Sequence, residues 1–200
     1  RFNDDGTLDV WVSTQSVSYI AEDIAEVRDI AEQDIRVHAE FVGGGFGSKV
    51  GAKIEVIVAV DLAAAARAPV RVVLDRAEEL TVGGNRPSCR MKVELGVSPT
   101  GDLLAVRSTA WNNSGVAVGM NTGMLVRLLY RHKNKHVVDY DVLTHTAPGM
   151  AFRAPGGPPA YFALEQLVDE VAHSRGESPV ALRRRWDPNP NRNRLYDWVE

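Results

Sequence analysis

Hydrophobic positions recur along this chain with two periods. Thr7–Val12 places Leu8, Val10 and Val12 on one face, and 35–42 does the same with Ile35, Val37, Ala39 and Phe41. Alternation of this kind predicts half-buried strands. Between them, 18–32 puts Ile20, Ile24, Val27 and Ala31 on one stripe, with Glu22, Asp23, Glu26 and Asp29 on a solvated face. That spacing predicts an amphipathic helix. The run 52–67 has apolar residues around most of a helical circumference (Ile54, Val56, Ile57, Val58, Val60, Leu62), which predicts a buried helix. Ala68-Pro69 breaks it, Val70–Leu74 reads as a buried strand, and 75–80 as a short acidic segment.

Farther on, Met91–Val97 and Leu103–Trp111 flank a Ser-Pro-Thr-Gly-Asp turn and predict a hairpin, with Met91, Val93 and Leu95 facing Leu104 and Val106. The glycine-rich 112–122 reads as a loop, 124–130 as a short helix and 137–144 as a strand. A helix over 160–173 is predicted to bury Phe162, Leu164, Leu167, Val168 and Val171, with Gly176 as its stop. Ser178-Pro179 opens another, to about Trp186, in a cap-then-proline arrangement. Residues 187–191 read as an extended polar linker. The expected class is α+β, mixed sheets with packed helices, in approximate halves 1–80 and 81–200.

The stretch that organises the rest is Gly43-Gly44-Gly45-Phe46-Gly47-Ser48-Lys49, between a predicted strand and a predicted helix. Backbone N–H groups delivered through glycines onto a helix N-terminus favour an anion. A bare tight turn explains the glycines equally well. A P-loop requires Gly directly before Lys and Ser or Thr after it, whereas Ser48 precedes Lys49 and Val50 follows. The dinucleotide spacing fails as well. Phe46 is the specific feature, a large aromatic within glycines that let a ligand approach the backbone.

Composition narrows the classes. The chain has 200 residues, 44% hydrophobic and 24% charged, enough for one large domain or two small ones. A net charge of −3 argues against a nucleic-acid surface, and no apolar run reaches the length of a membrane span. One cysteine, Cys89, rules out an iron–sulfur cluster within these residues. The five histidines show no metal spacing. Arg127, Arg131, His132, Lys133, Lys135 and His136 form a basic cluster, read as a solvated turn. Both ends read as cut from something longer.

Four segments together resemble the molybdenum-binding subunit of the xanthine dehydrogenase and aldehyde oxidase family. Residues 43–49 are similar to its GGGFGGK signature, with Ser48 in place of one glycine. Trp11-Val12-Ser13-Thr14-Gln15 resembles its strand ending in Thr-Gln, at the family's spacing from Gln15 to Phe46. The run 69–76 with Glu78-Glu79 resembles PVKLVLDREE, and Ala151-Phe152-Arg153-Ala154-Pro155-Gly156 resembles the AFRGFG or MRAPGE segment. The likeness covers nearly the whole chain in order.

The resemblance implies a molybdenum–molybdopterin cofactor, with the cytosine dinucleotide form common in bacteria. It also implies hydroxylation of a small-molecule substrate with oxygen from water, and electrons passing to 2Fe-2S and FAD partner domains or subunits of an oligomeric enzyme. A cytoplasmic location is expected, with the periplasm as the alternative. Gln15 would face the oxo ligand of molybdenum, Gly45, Phe46 and Gly47 would line the cofactor with backbone amides, and Arg153 with Ala154 would form its wall. No residue here would bind the metal directly.

Three departures follow. Val50 stands where xanthine-oxidising members carry Glu, and Pro155 where they carry Phe. Both point to an aldehyde or N-heteroaromatic substrate. The family's general-base Glu lies in a Gly-Glu segment that these residues do not contain, so the chain alone is expected to be inactive. Arg127 is the nearest match to the Arg that polarises purines, and no cysteine follows Arg153, unlike the carbon monoxide dehydrogenase pattern. A non-catalytic scaffold that keeps the fold is the alternative.

Overall fold

The computed structural model describes residues 1–117, 119, 122–130, 132 and 134–199. They form two units: Arg1–Asn85 with Met150–Arg153, and Arg86–Gly149 with Ala154–Glu200.

The first unit opens with strand β1 (Leu8–Trp11), helix α1 (Val17–Arg28), a 3-10 turn (Glu32–Asp34) and strand β2 (Ile35–His38). The strands pair in parallel, Leu8 opposite Ile35 through Trp11 opposite His38. A parallel pair needs a crossover, and α1 supplies it. Leu8 and Ile35 from the strands meet Ile20, Ala21 and Ile24 from α1, and Val56 and Val60 from helix α2 (Ile54–Ala66), in one core. Burying each such side chain contributes about 1.5–3 kcal/mol.

Three expectations need correction in this unit. α1 ends at Arg28, where Asp29 turns left-handed at φ 51°, four residues before the predicted stop. β2 stops at His38 because its partner ends at Trp11, and Phe41 beyond it is 87% exposed. α2 buries only one stripe, Val56, Val60 and Ala63, while Ile54, Val58 and Leu62 face outward.

Val70–Leu74 has no ladder partner and Val73 is exposed, so that predicted strand is absent. β-branched residues gain from a strand only where a neighbour supplies hydrogen bonds. The acidic segment after it is helix α3 (Arg76–Val82), closed by a capping box in which Asp75 accepts from the Glu78 N–H and Glu78 accepts from the Asp75 N–H, each at 2.8 Å.

In the second unit, β3 (Cys89–Val97) pairs antiparallel with β4 (Leu103–Gly115), and β4 pairs in parallel with β5 (Asn134–Leu143). Leu95 lies opposite Val106 as the alternation implies, but the register slips between Gly96 and Val97, so Leu103 packs against the core and Leu104 is exposed. β4 also continues through 112–115, which the sequence presents as loop. Asn112 and Ser114 are buried there because they have partners: Thr122 Oγ1 donates to Asn112 Oδ1 at 2.7 Å, and Ser114 Oγ to Asp141 at 3.0 Å.

Four helices follow the chain: α4 (Thr122–Leu128), α5 (Gly157–Arg175), α6 (Pro179–Trp186) and α7 (Pro190–Tyr196). The buried stripe of α5 is Ala160, Leu164, Val168 and Ala172, strictly four apart, so Phe162 projects outward at 70% exposure rather than into the core. Gly176 ends α5 at φ 63° and Ser178 caps α6, as their residue types require. The predicted linker at 187–191 is instead a packed corner. Asp187 is buried against the Arg192 guanidinium, and Asn189 caps α7.

Candidate functional site

The carboxyl end of β1 runs into Ser13-Thr14-Gln15, and that of β2 leads on to the glycine loop. Loops outside the carboxyl ends of parallel strands are where such sheets hold ligands. The two loops are laced together by Lys49, whose carbonyl accepts from the Gln15 N–H at 3.2 Å and the Thr14 hydroxyl at 2.9 Å. Its ammonium donates to Ser13 Oγ at 2.8 Å. Lys49 therefore acts as a brace between loops.

The glycine loop closes as a tight turn over 45–48, with the Ser48 N–H donating to Gly45 O at 2.9 Å. Its two central residues both have positive φ, 52° at Phe46 and 96° at Gly47, the pattern of a type I′ turn. Gly47 adopts that backbone freely. Phe46 does not, and an L-residue held there costs about 1–2 kcal/mol. Strain of this kind persists only where neighbours hold it, and it clusters at functional sites. Here the Arg153 N–H donates to Phe46 O at 2.6 Å, fastening the turn to the 150–153 segment.

This turn orients Gln15. The Gly47 N–H donates to Gln15 Oε1 at 2.9 Å, which fixes which end of the amide is oxygen and leaves the Nε2 end as a donor. Gly47, expected to line a cofactor, has its N–H on Gln15 in this structure. A Cβ at Gly45 would lie 2.2 Å from Gln15 Oε1, so Gly45 leaves the space in which the amide sits, and one at Gly47 would lie 3.0 Å from the Ala151 carbonyl, so Gly47 lets that segment approach. Val50 occupies the half-buried bend before α2. Phe46 is 58% exposed, and Arg153, joined to it by that backbone bond, is exposed in the same unit.

Gln15, Gly45, Phe46, Gly47, Val50 and Arg153 thus belong to the first unit. Ala154 and Pro155 belong to the second, where Ala154 has φ 57° and its carbonyl accepts from the Gly157 N–H at 2.9 Å at the start of α5. Arg127 is also in the second unit, with Nη2 donating to Val137 O at 2.8 Å and its own carbonyl accepting from Lys135. Arg131 and Lys133 lie outside the described residues. Among the described residues no group of three or more His, Cys, Asp or Glu is placed to hold a metal ion, and no helix is long and apolar enough to cross a membrane.

Two supports were not visible in the sequence. Asp23, read as part of a solvated face, accepts from the Ala52 N–H at 2.6 Å and so joins α1 to the entry of α2. Asp9, a polar residue in β1, is buried and accepts from His38, Asn3 and Arg1, each at 2.9 Å. Those bonds, the one from His38 foremost, hold its carboxyl well below the usual carboxylate range. His38 in turn stacks on Trp11, ring centroids 4.9 Å apart. The alternation of β1 places Asp9 on the polar side, and only the partners from 1–3 and β2 explain its burial.

The arrangement joins an oriented carboxamide, a tight turn with an exposed aromatic at its tip, and the clearance left by Gly45. An amide with a free N–H donor end suits an electron-rich oxygen of a ligand. The molybdopterin cofactor-binding domain family matches residues 1–186. Nicotinate hydroxylase from Emericella nidulans is 30% identical, over 91% of this chain and 14% of its own length. The aldehyde oxidoreductase molybdenum-binding subunit PaoC of Escherichia coli is 30% identical, over 90% of this chain and 25% of its own.

Quinoline 2-oxidoreductase from Pseudomonas putida 86 superposes with a TM-score of 0.84 at 28% identity, over 94% of this chain and 25% of that one. The aldehyde oxidoreductase of Desulfovibrio gigas shares the fold, with a TM-score of 0.87 at 23% identity, over 99% of this chain and 24% of that one. This chain therefore spans a quarter or less of these relatives. On the family match over nearly its full length, it belongs to the molybdopterin cofactor-binding domains of the molybdenum hydroxylases.

Proposed function

We propose that this chain supplies part of the cofactor cradle of a molybdenum hydroxylase that oxidises an aldehyde or an N-heteroaromatic substrate. The observation that carries the reading is the Gly47–Gln15 bond of 2.9 Å, because it presents a neutral N–H donor in a fixed direction beside a strained aromatic turn. When bound, the molybdenum–molybdopterin group supplies the two-electron oxidation and the transfer of oxygen from water. Gln15, the turn over Gly45, Phe46 and Gly47, and Arg153, all of the first unit, would hold it. The Gln15 amide stabilises electron-rich oxygen without adding charge, and a preorganised donor of this kind costs no reorganisation during reaction.

Substrate class is supported by two residues and by relatives. Val50 and Pro155 remove the polar and aromatic groups expected of a purine site, and relatives act, by name, on nicotinate, aldehydes and quinoline as well as on xanthine. Electrons would leave through 2Fe-2S and FAD centres on partner domains or subunits, since this chain has one cysteine. The proton-abstracting carboxylate would come from outside these residues. The test uses the longest natural form of the protein, with its partners, in ¹⁸O-labelled water against a panel of aldehydes, N-heteroaromatics and purines. Label entering an aldehyde-derived acid or a ring carbon supports the reading. No turnover of any class, in protein that also lacks molybdenum, would favour a scaffold instead.

A further inference from the structure

Ser48 stands where the resembling motif has glycine, and its side chain is engaged. Its hydroxyl donates to Gly45 O at 2.8 Å, while its own N–H donates to the same oxygen at 2.9 Å. A carbonyl oxygen has two lone pairs, so both bonds are accommodated. Ser48 is half-buried, which limits competition from water.

We propose that Ser48 is a positioning residue: it staples the turn so that Gly47 holds the Gln15 amide with its donor end outward. That this donor end serves a cofactor rests on the function proposed above. The turn needs a staple because Phe46 sits at φ 52°, a conformation it leaves when the loop relaxes. Relaxation would swing the Gly47 N–H away from Gln15 Oε1. The terminal torsion of a glutamine is broad and two-fold, so an untethered amide rotates to present oxygen where nitrogen had been. A donor would become an acceptor at the same place. With glycine at position 48 the closure onto Gly45 O keeps only its backbone bond, and the turn gains backbone freedom besides.

The experiment compares natural full-length protein, assembled with its partners, as wild type, Ser48→Ala and Ser48→Thr. Hydrogen exchange resolved to single amides is followed at Gly47 in cofactor-free protein, and molybdenum retention during dialysis is followed in loaded protein. Loss of one hydroxyl bond predicts about fivefold faster exchange at Gly47 in Ser48→Ala, with threonine restoring the wild-type rate. Loaded Ser48→Ala should lose molybdenum faster by a similar factor. Unchanged Gly47 exchange in Ser48→Ala overturns the staple. Faster exchange with unaltered molybdenum loss overturns its role in holding the group. If Gly47 responds but wild type never carries molybdenum, the staple stands and the cofactor reading fails.

Discussion

At the scale of single residues, the site depends on one amide being held the right way round. Gly45→Ala puts a methyl where Gln15 Oε1 now lies, at 2.2 Å from the built Cβ. The glutamine end is flexible and can move aside, so the predicted effect is lost orientation with little lost stability. Full-length Gly45→Ala should hold a smaller fraction of molybdenum, with a melting temperature within a few degrees of wild type. Thr14→Val removes the hydroxyl bond to Lys49 O across the two loops, a loss of about 1 kcal/mol measurable by urea unfolding. The motif residues were legible in the sequence because glycines around an aromatic are rare and positional. Thr14, Asp23 and Asp9 were not, because a hydroxyl or carboxylate looks the same whether water or a buried N–H is its partner. Only the fold brings Ala52 to Asp23 and His38 to Asp9.

At the scale of elements, strict four-residue spacing decided the outcome where apolar content misled. Leu164→Ala in α5 should cost about 2–5 kcal/mol in chemical unfolding of this chain, and Phe162→Ala about 0.5 or less, although the sequence favours both as core. Asp75→Ala opens the α3 capping box and should cost about 0.5–2 kcal/mol. The corner after α6 carries a pH dependence. The Arg192 guanidinium, hydrogen-bonded to Asp187, lowers the carboxyl below its ordinary value. A depressed carboxylate pKa contributes stability above the unfolded value, about 3.9, and that contribution is lost as pH falls through the folded value. Asp187→Asn should therefore shrink the difference in stability between pH 6 and pH 3, measured by urea midpoints. β2, Val70–Leu74 and the end of β4 were misread for one reason. Strand propensity is local, and a ladder partner is not: β2 ends where β1 ends, Val70–Leu74 has no ladder partner among the described residues, and residues 112–115 gain one in β5.

At the scale of the whole molecule, the fold class and family were legible because four separated motifs kept their order, and the return of residues 150–153 to the first unit was not. The first unit reaches across the chain to take Met150–Arg153, a discontinuity that periodicity does not encode. That segment carries Arg153, whose N–H anchors the strained turn at Phe46. A chain spanning a quarter of its relatives, without the general-base segment, is predicted to show no hydroxylation of aldehydes or purines by itself. Turnover by the isolated 200 residues would mean that the base lies among them. The central claim, that the Gln15 and glycine-turn arrangement cradles a molybdenum–pterin group, is tested most directly by metal and pterin analysis. The longest natural form should be purified with its partners from cells that make the cofactor, as wild type and as Gly45→Ala. The account predicts molybdenum and releasable pterin in equal, near-stoichiometric amounts in wild type and a clear loss of both in the variant. Wild-type protein free of both would contradict it.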